Sequence, residues 1–395
     1  MIRREDTKSE SERRGFRRWM AQHKAGSLSL FLLIMLGLIS IFADFLSFHP
    51  PSQFVSKAVS HTRGAPAHLP PIWPSFVEDG RLRWPYICAG GRWVHPYDPE
   101  KKRIDFGRWI FKRDCSQRHV LRFLVHVPNY RYKLLGLFWT DIHLFGAADP
   151  GTPLFFATAD PDALLLPLGT NRLGQDLLSR ILIGSRASLG ISLGAVILSL
   201  FLALLFGWLS GYRGGWTDAL IQRIADGILA FPRLALLLVL GATIIDSEQR
   251  LVWMIVLLAL VGWVPIMRTL RGQILSLREA EFIKAAQAAG VGYGRIFIRH
   301  ILPQTVSTIL VSTTLAVPNV LVLESFLSYV GRGVPEGIAS WGSLLREAAE
   351  ITQLPQHPWV LFSGVPIILT VLAFTFLGDA LRDRFDPFHR SKGYR

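Results

Sequence analysis

Six stretches of this chain are apolar over roughly the 20 residues that a helix needs to cross the hydrocarbon core of a bilayer. They are Leu28–Ser47, Ala187–Gly211, Ile224–Ile245, Leu251–Met267, Val306–Leu327 and Trp359–Leu377. In lipid every backbone N–H and C=O needs a partner within the protein, which leaves helices or a closed barrel. Barrel strands alternate apolar and polar residues, and these runs do not. The expectation is an all-α polytopic membrane protein with six transmembrane helices. The third run is the weakest, because Asp226, Pro232 and Arg233 fall in its first half, and the fourth is short and contains Pro265. Prolines at 265, 318 and 366 are tolerable in a bundle, where neighbouring helices re-satisfy freed carbonyls. Composition agrees: of 395 residues half are hydrophobic and 18% are charged, against about 25% charged in soluble domains.

The placement of the positive charge orients the spans. The net charge is +14, and Lys and Arg cluster in residues 1–27, after the second span (Arg213), after the fourth (Arg268 to Arg299) and after the sixth (Arg382 to Lys392). Cytoplasmic loops hold the excess of Lys and Arg, so both termini are expected in the cytoplasm. The segments Asp246–Arg250 and Gly331–Pro358 are then external. Orientation accounts for the charge, which sets aside a nucleic-acid partner. The first run resembles a signal peptide but is too long and lacks a clean cleavage site, and it reads as a retained anchor.

One large polar insertion, residues 48–166, separates the first two spans and is placed outside. Its periodicities are weak and suggest an irregular or strand-containing cap. It holds the chain's two cysteines, Cys88 and Cys115. In an oxidising compartment they either close a disulfide, worth about 3 kcal/mol in the chain-entropy picture, or are two unrelated buried thiols. Cys115 with His119 and His126 lacks recognised ligand spacing, so no metal site is expected. The insertion has several histidines but no G-x-S-x-G, H-E-x-x-H or paired carboxylates. That argues against a membrane-anchored external enzyme. A docking role for the insertion stays open.

Between the fourth and fifth runs lies a polar segment, residues 278–304. Glu279 to Ala289 reads as a helix of strong helix formers, and Gly290 suits a left-handed residue just past its end. Phe282, Ala286 and Ala289 fall on one stripe with Ala285 beside them. Such small residues build no core of their own but allow close approach by another surface. An ordinary loop helix packed on its own bundle would read the same way.

This segment resembles the EAA loop of ABC-transporter permeases, whose pattern is EAA, three residues, Gly, nine residues and I-x-L-P. Here Lys284-Ala285-Ala286 takes the EAA place, Gly290 the Gly, and Leu302-Pro303 the end. Lys284 replaces the acid, and His300 stands where the Ile would be, with Ile301 beside it. Four further blocks, Pro167–Leu189, Arg223–Pro232, Glu324–Leu345 and Gly378–Pro387, resemble Opp/Dpp-type peptide permeases in order and spacing. They are closest to the C-type subunit, and the long insertion suggests the Yej-like oligopeptide and microcin C branch.

The resemblance implies a division of the chain. A basic N-terminus (1–27) precedes the first span (28–47) and the insertion (48–166). A permease core (167–381) then carries five spans and the coupling loop, and a cytoplasmic tail (382–395) follows. It implies a multi-pass subunit of the bacterial cytoplasmic (inner) membrane that is not itself an enzyme and forms half of a path for peptides. The same machine for nickel or antimicrobial peptides is the alternative. The implied partners are a second, B-type permease, one or two cytoplasmic ABC ATPases, an external substrate-binding protein and membrane lipids. No cofactor is expected on this chain, since it lacks G-x-x-x-x-G-K-[ST]; ATP and Mg would sit on the partner subunits. Glu279, Phe282, Lys284, Ala285, Ala286, Ala289, Gly290, Leu302 and Pro303 are the expected ATPase-coupling residues. Charges at membrane depth are functional candidates by default. Asp226, expected to pair with Arg223, and Glu324 are therefore candidates for the path, with structural pairing or hydrogen bonding as the other reading. Arg172 and Asp176 are expected to fix a short interfacial helix before the second span.

Overall fold

The computed structural model describes residues 24–52, 59–60, 68–78, 81–94, 97–98, 103–104, 110–128, 130–134, 136–160, 163, 165–243, 249–349 and 357–385. The basic N-terminus through residue 23, the tail beyond 385, part of the loop 246–250 and the side chain of Cys88 lie outside the described residues. The chain divides into two compact units. One comprises residues 1–36, 189–327 and 367–395, and the other 37–188 and 328–366.

Among the described residues five helices are long and apolar enough to cross a membrane. They begin with α1 (Lys24–Ile41). After the two-turn-or-less α2 (Ala43–Leu46) comes α3 (Leu177–Trp208), which continues through a π-helical turn to Arg213. The expected third span is instead two helices, α4 (Gly215–Ala230) and α5 (Arg233–Ala242), bent by 85° at the break. The cause is local. Pro232 has no N–H to donate, and the residue before a proline is pushed out of the helical region. Phe231 accordingly lies at φ −89°, ψ 142°. Taken as one broken span, the pair brings the number to six.

The remaining helices are α6 (Arg250–Arg278), α7 (Glu281–Ala288), α8 (Tyr293–Ile296), α9 (Leu302–Tyr329), α10 (Trp341–Ala349) and α11 (Val365–Phe385). Pro265 sits inside α6 and Pro318 inside α9 without ending either. In the first unit a core of Ala225, Trp263, Met267, Leu270, Ile274 and Ile283 is fully or almost fully buried. Glycines let the helices approach: a Cβ on Gly211 would lie 2.9 Å from Ile274, and one on Gly378 would lie 2.4 Å from Leu315.

The second unit holds strands, the strand-containing form of the cap expected for the insertion. Its centre is a five-stranded sheet of β1 (Val59–Ser60), β2 (Ser75–Glu78), β3 (Arg81–Val94), β6 (Ile110–His126) and β9 (Ile142–Ala148). The order is β1-β3-β6-β9 with β2 also on β3, and every pairing except β1–β3 is antiparallel. Two small hairpins accompany it, β4–β5 (Tyr97–Asp98, Arg103–Ile104) and β7–β8 (Tyr132–Leu134, Phe138–Thr140). The weak periodicity of the sequence has a structural reason. A bulge between Cys88 and Gly90 shifts the register of the two longest strands, and a bulge breaks the two-residue alternation. Leu69, Ile72, Ile87, Ala147, Ala163, Leu165 and Leu166 form the buried core of this region. Cys115 is disulfide-bonded, and Cys88, the other cysteine of the chain, lies on the adjoining strand β3.

Two of the motif blocks meet in this unit. Asp176 caps α3 by accepting the N–H groups of Leu178 (3.2 Å) and Ser179 (3.3 Å). Residues 167–176 are turns rather than the interfacial helix expected there. An Asx-type turn competes with helix by offering backbone N–H groups a side-chain acceptor. Asn171 Oδ1 does this for the N–H groups of Leu173 and Gln175. From the other block, Trp341 donates its backbone N–H to Ser188 Oγ (3.0 Å) and its indole N–H to Ile181 O (3.0 Å).

Candidate coupling site

The candidate site is α7 with its flanks. α6 runs on to Arg278, and Ala280 takes an extended conformation (φ −69°, ψ 141°). The helix therefore starts at Glu281, two residues later than the sequence suggests. Its end is a Schellman motif. The Val291 N–H donates to Ala286 O (3.1 Å) and the Gly290 N–H to Gln287 O (2.9 Å). Gly290 sits at φ +74°, a conformation that costs a residue with a Cβ roughly 1–2 kcal/mol.

The helix is anchored by one face and presents the other. Ile283 is fully buried in the core of the first unit, and Ala286 and Val291 pack against that core. Gln287 Nε2 donates to Tyr212 Oη (2.8 Å), whose ring meets Tyr293 edge-on at 5.6 Å. Phe282, Lys284, Ala285, Ala289 and Gly290 are exposed. The structure thus splits the expected stripe. Ala286 belongs to the anchoring side, and Phe282, Ala285 and Ala289 remain as the presented surface. Glu279 is exposed and lies 3.4 Å from both Arg278 and Lys284, so the residue in the position of the family's acid is a cation paired with a nearby acid.

Leu302-Pro303 does not open a separate helix. Helical structure is continuous from Tyr293 to Tyr329, with a π-helical turn over Phe297–Ile301. The Leu302 N–H reaches back five residues to Phe297 O, and Pro303 has no N–H to restore the ordinary pattern. Phe297 stacks on Trp208 at 5.3 Å, and Ile301 is fully buried. The segment after α7 thus joins a long helix through a non-ideal turn with buried contacts.

The sequence did not single out the pair that braces this region. Asp218 on α4 takes a two-point contact from Arg271 on α6 (2.7 and 2.5 Å) and is also bonded by Ser210. Such fork geometry is the strong form of an ion pair. Its residues are 53 positions apart, beyond any local pattern. Asp226 pairs with Arg268 of α6, 42 residues along the chain, and not with Arg223 of its own helix. Glu324 is fully buried on α9 and accepts a bond from Ser325 Oγ (3.3 Å), geometry that fits structural hydrogen bonding. A cavity of about 220 Å³ lies among α3, α5, α6 and α9, with Ser199, Arg233, Thr269, Ser312 and Asn319 as its polar lining. The histidines singled out around Cys115 do not share one site. His126 Nδ1 is bonded to Asp141 (3.0 Å) and Cys115 is in a disulfide.

Residues 203–391 match the family described as binding-protein-dependent transport system inner membrane component. Among curated proteins, the oligopeptide transport system permease protein OppC of Bacillus subtilis is 37% identical over 220 residues, 55% of this chain and 70% of the relative. The dipeptide transport system permease protein DppC of Alkalihalophilus pseudofirmus is 39% identical over 225 residues, 56% of this chain and 72% of the relative. OppC of Escherichia coli is 38% identical over 223 residues, 56% and 72% respectively. The family match includes α7 and its flanks. This chain therefore belongs to the binding-protein-dependent transport system inner membrane components of the Opp/Dpp type and is a multi-pass protein of the bacterial inner membrane.

Proposed function

We propose that this chain is the permease subunit of an ATP-driven peptide importer, contributing half of the translocation path and taking its energy from a separate cytoplasmic ATPase. The carrying observation is α7: a short helix held by Ile283 and Ala286 on one side, with Phe282, Ala285 and Ala289 presented on the other. A helix of this kind docks into a groove, with small residues permitting close approach. The named relatives, which transport oligopeptides and dipeptides, support peptides as the cargo class. In this reading the N- and C-termini and α7 face the cytoplasm, the sheet unit lies outside and meets a binding protein, and a second B-type permease completes the path.

ATP binding would close the paired ATPases and move α7 as a rigid body. The turn at Phe297–Ile301 would pass that motion into α9 and the lining of the cavity beside Asn319. The transporter is then a two-state element biased by nucleotide on one side and loaded binding protein on the other. Ala285→Arg tests this: the side chain is exposed, so stability should change by no more than about 0.5 kcal/mol, while the ATPase is lost on co-purification and labelled-peptide uptake stops. Full ATPase recovery with normal uptake would refute the coupling role.

A further inference from the structure

The sheet unit contains a group of side chains that transport leaves unused. His119 lies on β6 and is 4% exposed. The ladder between β6 and β9 pairs Val120 with Ala148, so the next step of the same register sets His119 against Asp149, just past the end of β9. The chain then turns: Thr152 donates its N–H (3.1 Å) and hydroxyl (2.7 Å) to Asp149 O. It returns along the strand, where the Asp160 N–H donates to Ala147 O (2.8 Å). The turn and the returning segment thus bring two carboxylates to one imidazole nitrogen.

The geometry at that nitrogen is unusual for a hydrogen-bonded histidine. His119 Nδ1 is buried and makes no hydrogen bond, yet an oxygen of Asp149 and one of Asp160 each lie 3.5 Å from it. All three ligand atoms fall within 4.8 Å of one another. Nitrogen and oxygen ligands at 2.0–2.2 Å from a tetrahedral zinc ion sit about 3.4 Å apart. The two N···O separations of 3.5 Å match a shared ion better than a direct bond. Burial of an unpartnered imidazole nitrogen is costly, and a metal would satisfy it.

We propose that His119, Asp149 and Asp160 bind one divalent cation of the zinc class. An imidazole nitrogen selects zinc-like cations over magnesium or calcium, which prefer oxygen alone. Two carboxylates neutralise the ion's charge. Three protein ligands leave a fourth position, and it opens on the solvent side, where the Asp149 side chain is 75% exposed. The ion would clip the turn 149–160 to β6 and so fix one end of the sheet.

The test uses the full-length chain in detergent, stripped with EDTA and titrated with zinc alone. The expected result is one tightly held zinc per chain by elemental mass spectrometry, a zinc-dependent rise in Tm, and no comparable response to magnesium. Asp149→Asn and His119→Gln should each weaken zinc binding at least about ten-fold. Asp149 is on the surface, so its variant keeps the fold, and loss of zinc there cannot be ascribed to unfolding. Absence of tight zinc in the wild type, or wild-type affinity in Asp149→Asn, would overturn the proposal.

Discussion

The helix α7 and the junction of α3 with α10 use polar residues in opposite ways. At the junction the polar groups close on one another. Asn171 donates to Gln175 Oε1 (3.0 Å) and Glu347 Oε2 (2.7 Å), Arg180 pairs with Glu347 at 2.5 Å, and Asp176 accepts from Ser179. On α7 and the link before it the charges Lys284 and Glu279 face solvent, and the buried anchor is apolar. The first arrangement meets its partners within the chain, apart from the buried Arg180 Nε, and serves its stability. The second is incomplete and has a surface to give. Both regions carry family motifs, so a motif alone does not say whether its residues hold the fold or meet a partner.

The comparison is broken most easily at Glu347. The Arg180 side chain is only 12% exposed, and removing one member of a buried pair strands the other, at a cost of about 3–5 kcal/mol. Glu347→Ala should therefore lower Tm sharply, while Glu279→Ala, in an exposed pair, should change stability by less than about 1 kcal/mol. Equal effects in thermal unfolding would erase the distinction.

Acid should act next, and on the sheet unit. Burial holds His49 and His68 near pKa 4, against 6.5 for an ordinary histidine. The unfolded chain takes up these protons below pH 6.5 while the fold refuses them until about pH 4, so stability is full above 6.5 and falls across that window. Asp176 works the other way. Burial raises its carboxyl to about 6, and protonation of the folded form relieves that cost as pH falls. Burial also holds His143 and His357 below the usual histidine value, so the histidines outweigh the single aspartate and acid lowers stability on balance. His68→Asn should flatten the Tm-versus-pH curve between 6.5 and 4; an unchanged curve would remove His68 from the account.

A smaller effect on stability than at Glu347, and the most informative for coupling, belongs to Gly290. Nothing lies within 4 Å of a Cβ built there, so a side chain meets strain but no clash. Gly290→Val should cost about 1–2 kcal/mol through the left-handed backbone alone, and Gly290→Asn less, since Asn tolerates that conformation. If α7 couples through its exact exit angle, uptake should follow the same order, with Val worst. Uptake indifferent to both would leave the Schellman turn a purely local device.

Much of the coupling site was legible because its determinants are local. Helix formers followed by a glycine announce a helix and its stop, and the real bounds differ by two residues at the start. The division of the stripe was not legible. Ala285 and Ala286 are adjacent and chemically identical, and only the position of the core tells which one is anchored. Likewise Asp226 finds Arg268, and Asp218 finds Arg271, across more than 40 residues of sequence. The third span was flagged by Pro232, yet only the backbone there reveals an 85° bend.

The sequence by itself determined the membrane class, the order of apolar runs, the family and the place of the short polar helix α7. Apolar length and local propensity act over tens of residues or fewer, and they survive without knowledge of what packs on what. Tertiary structure alone decided the sheet of residues 59–148, the partners of the membrane charges and the meeting of His119 with Asp149 and Asp160. A bulged register hides its own alternation, and pairs brought together by the fold leave no trace in spacing.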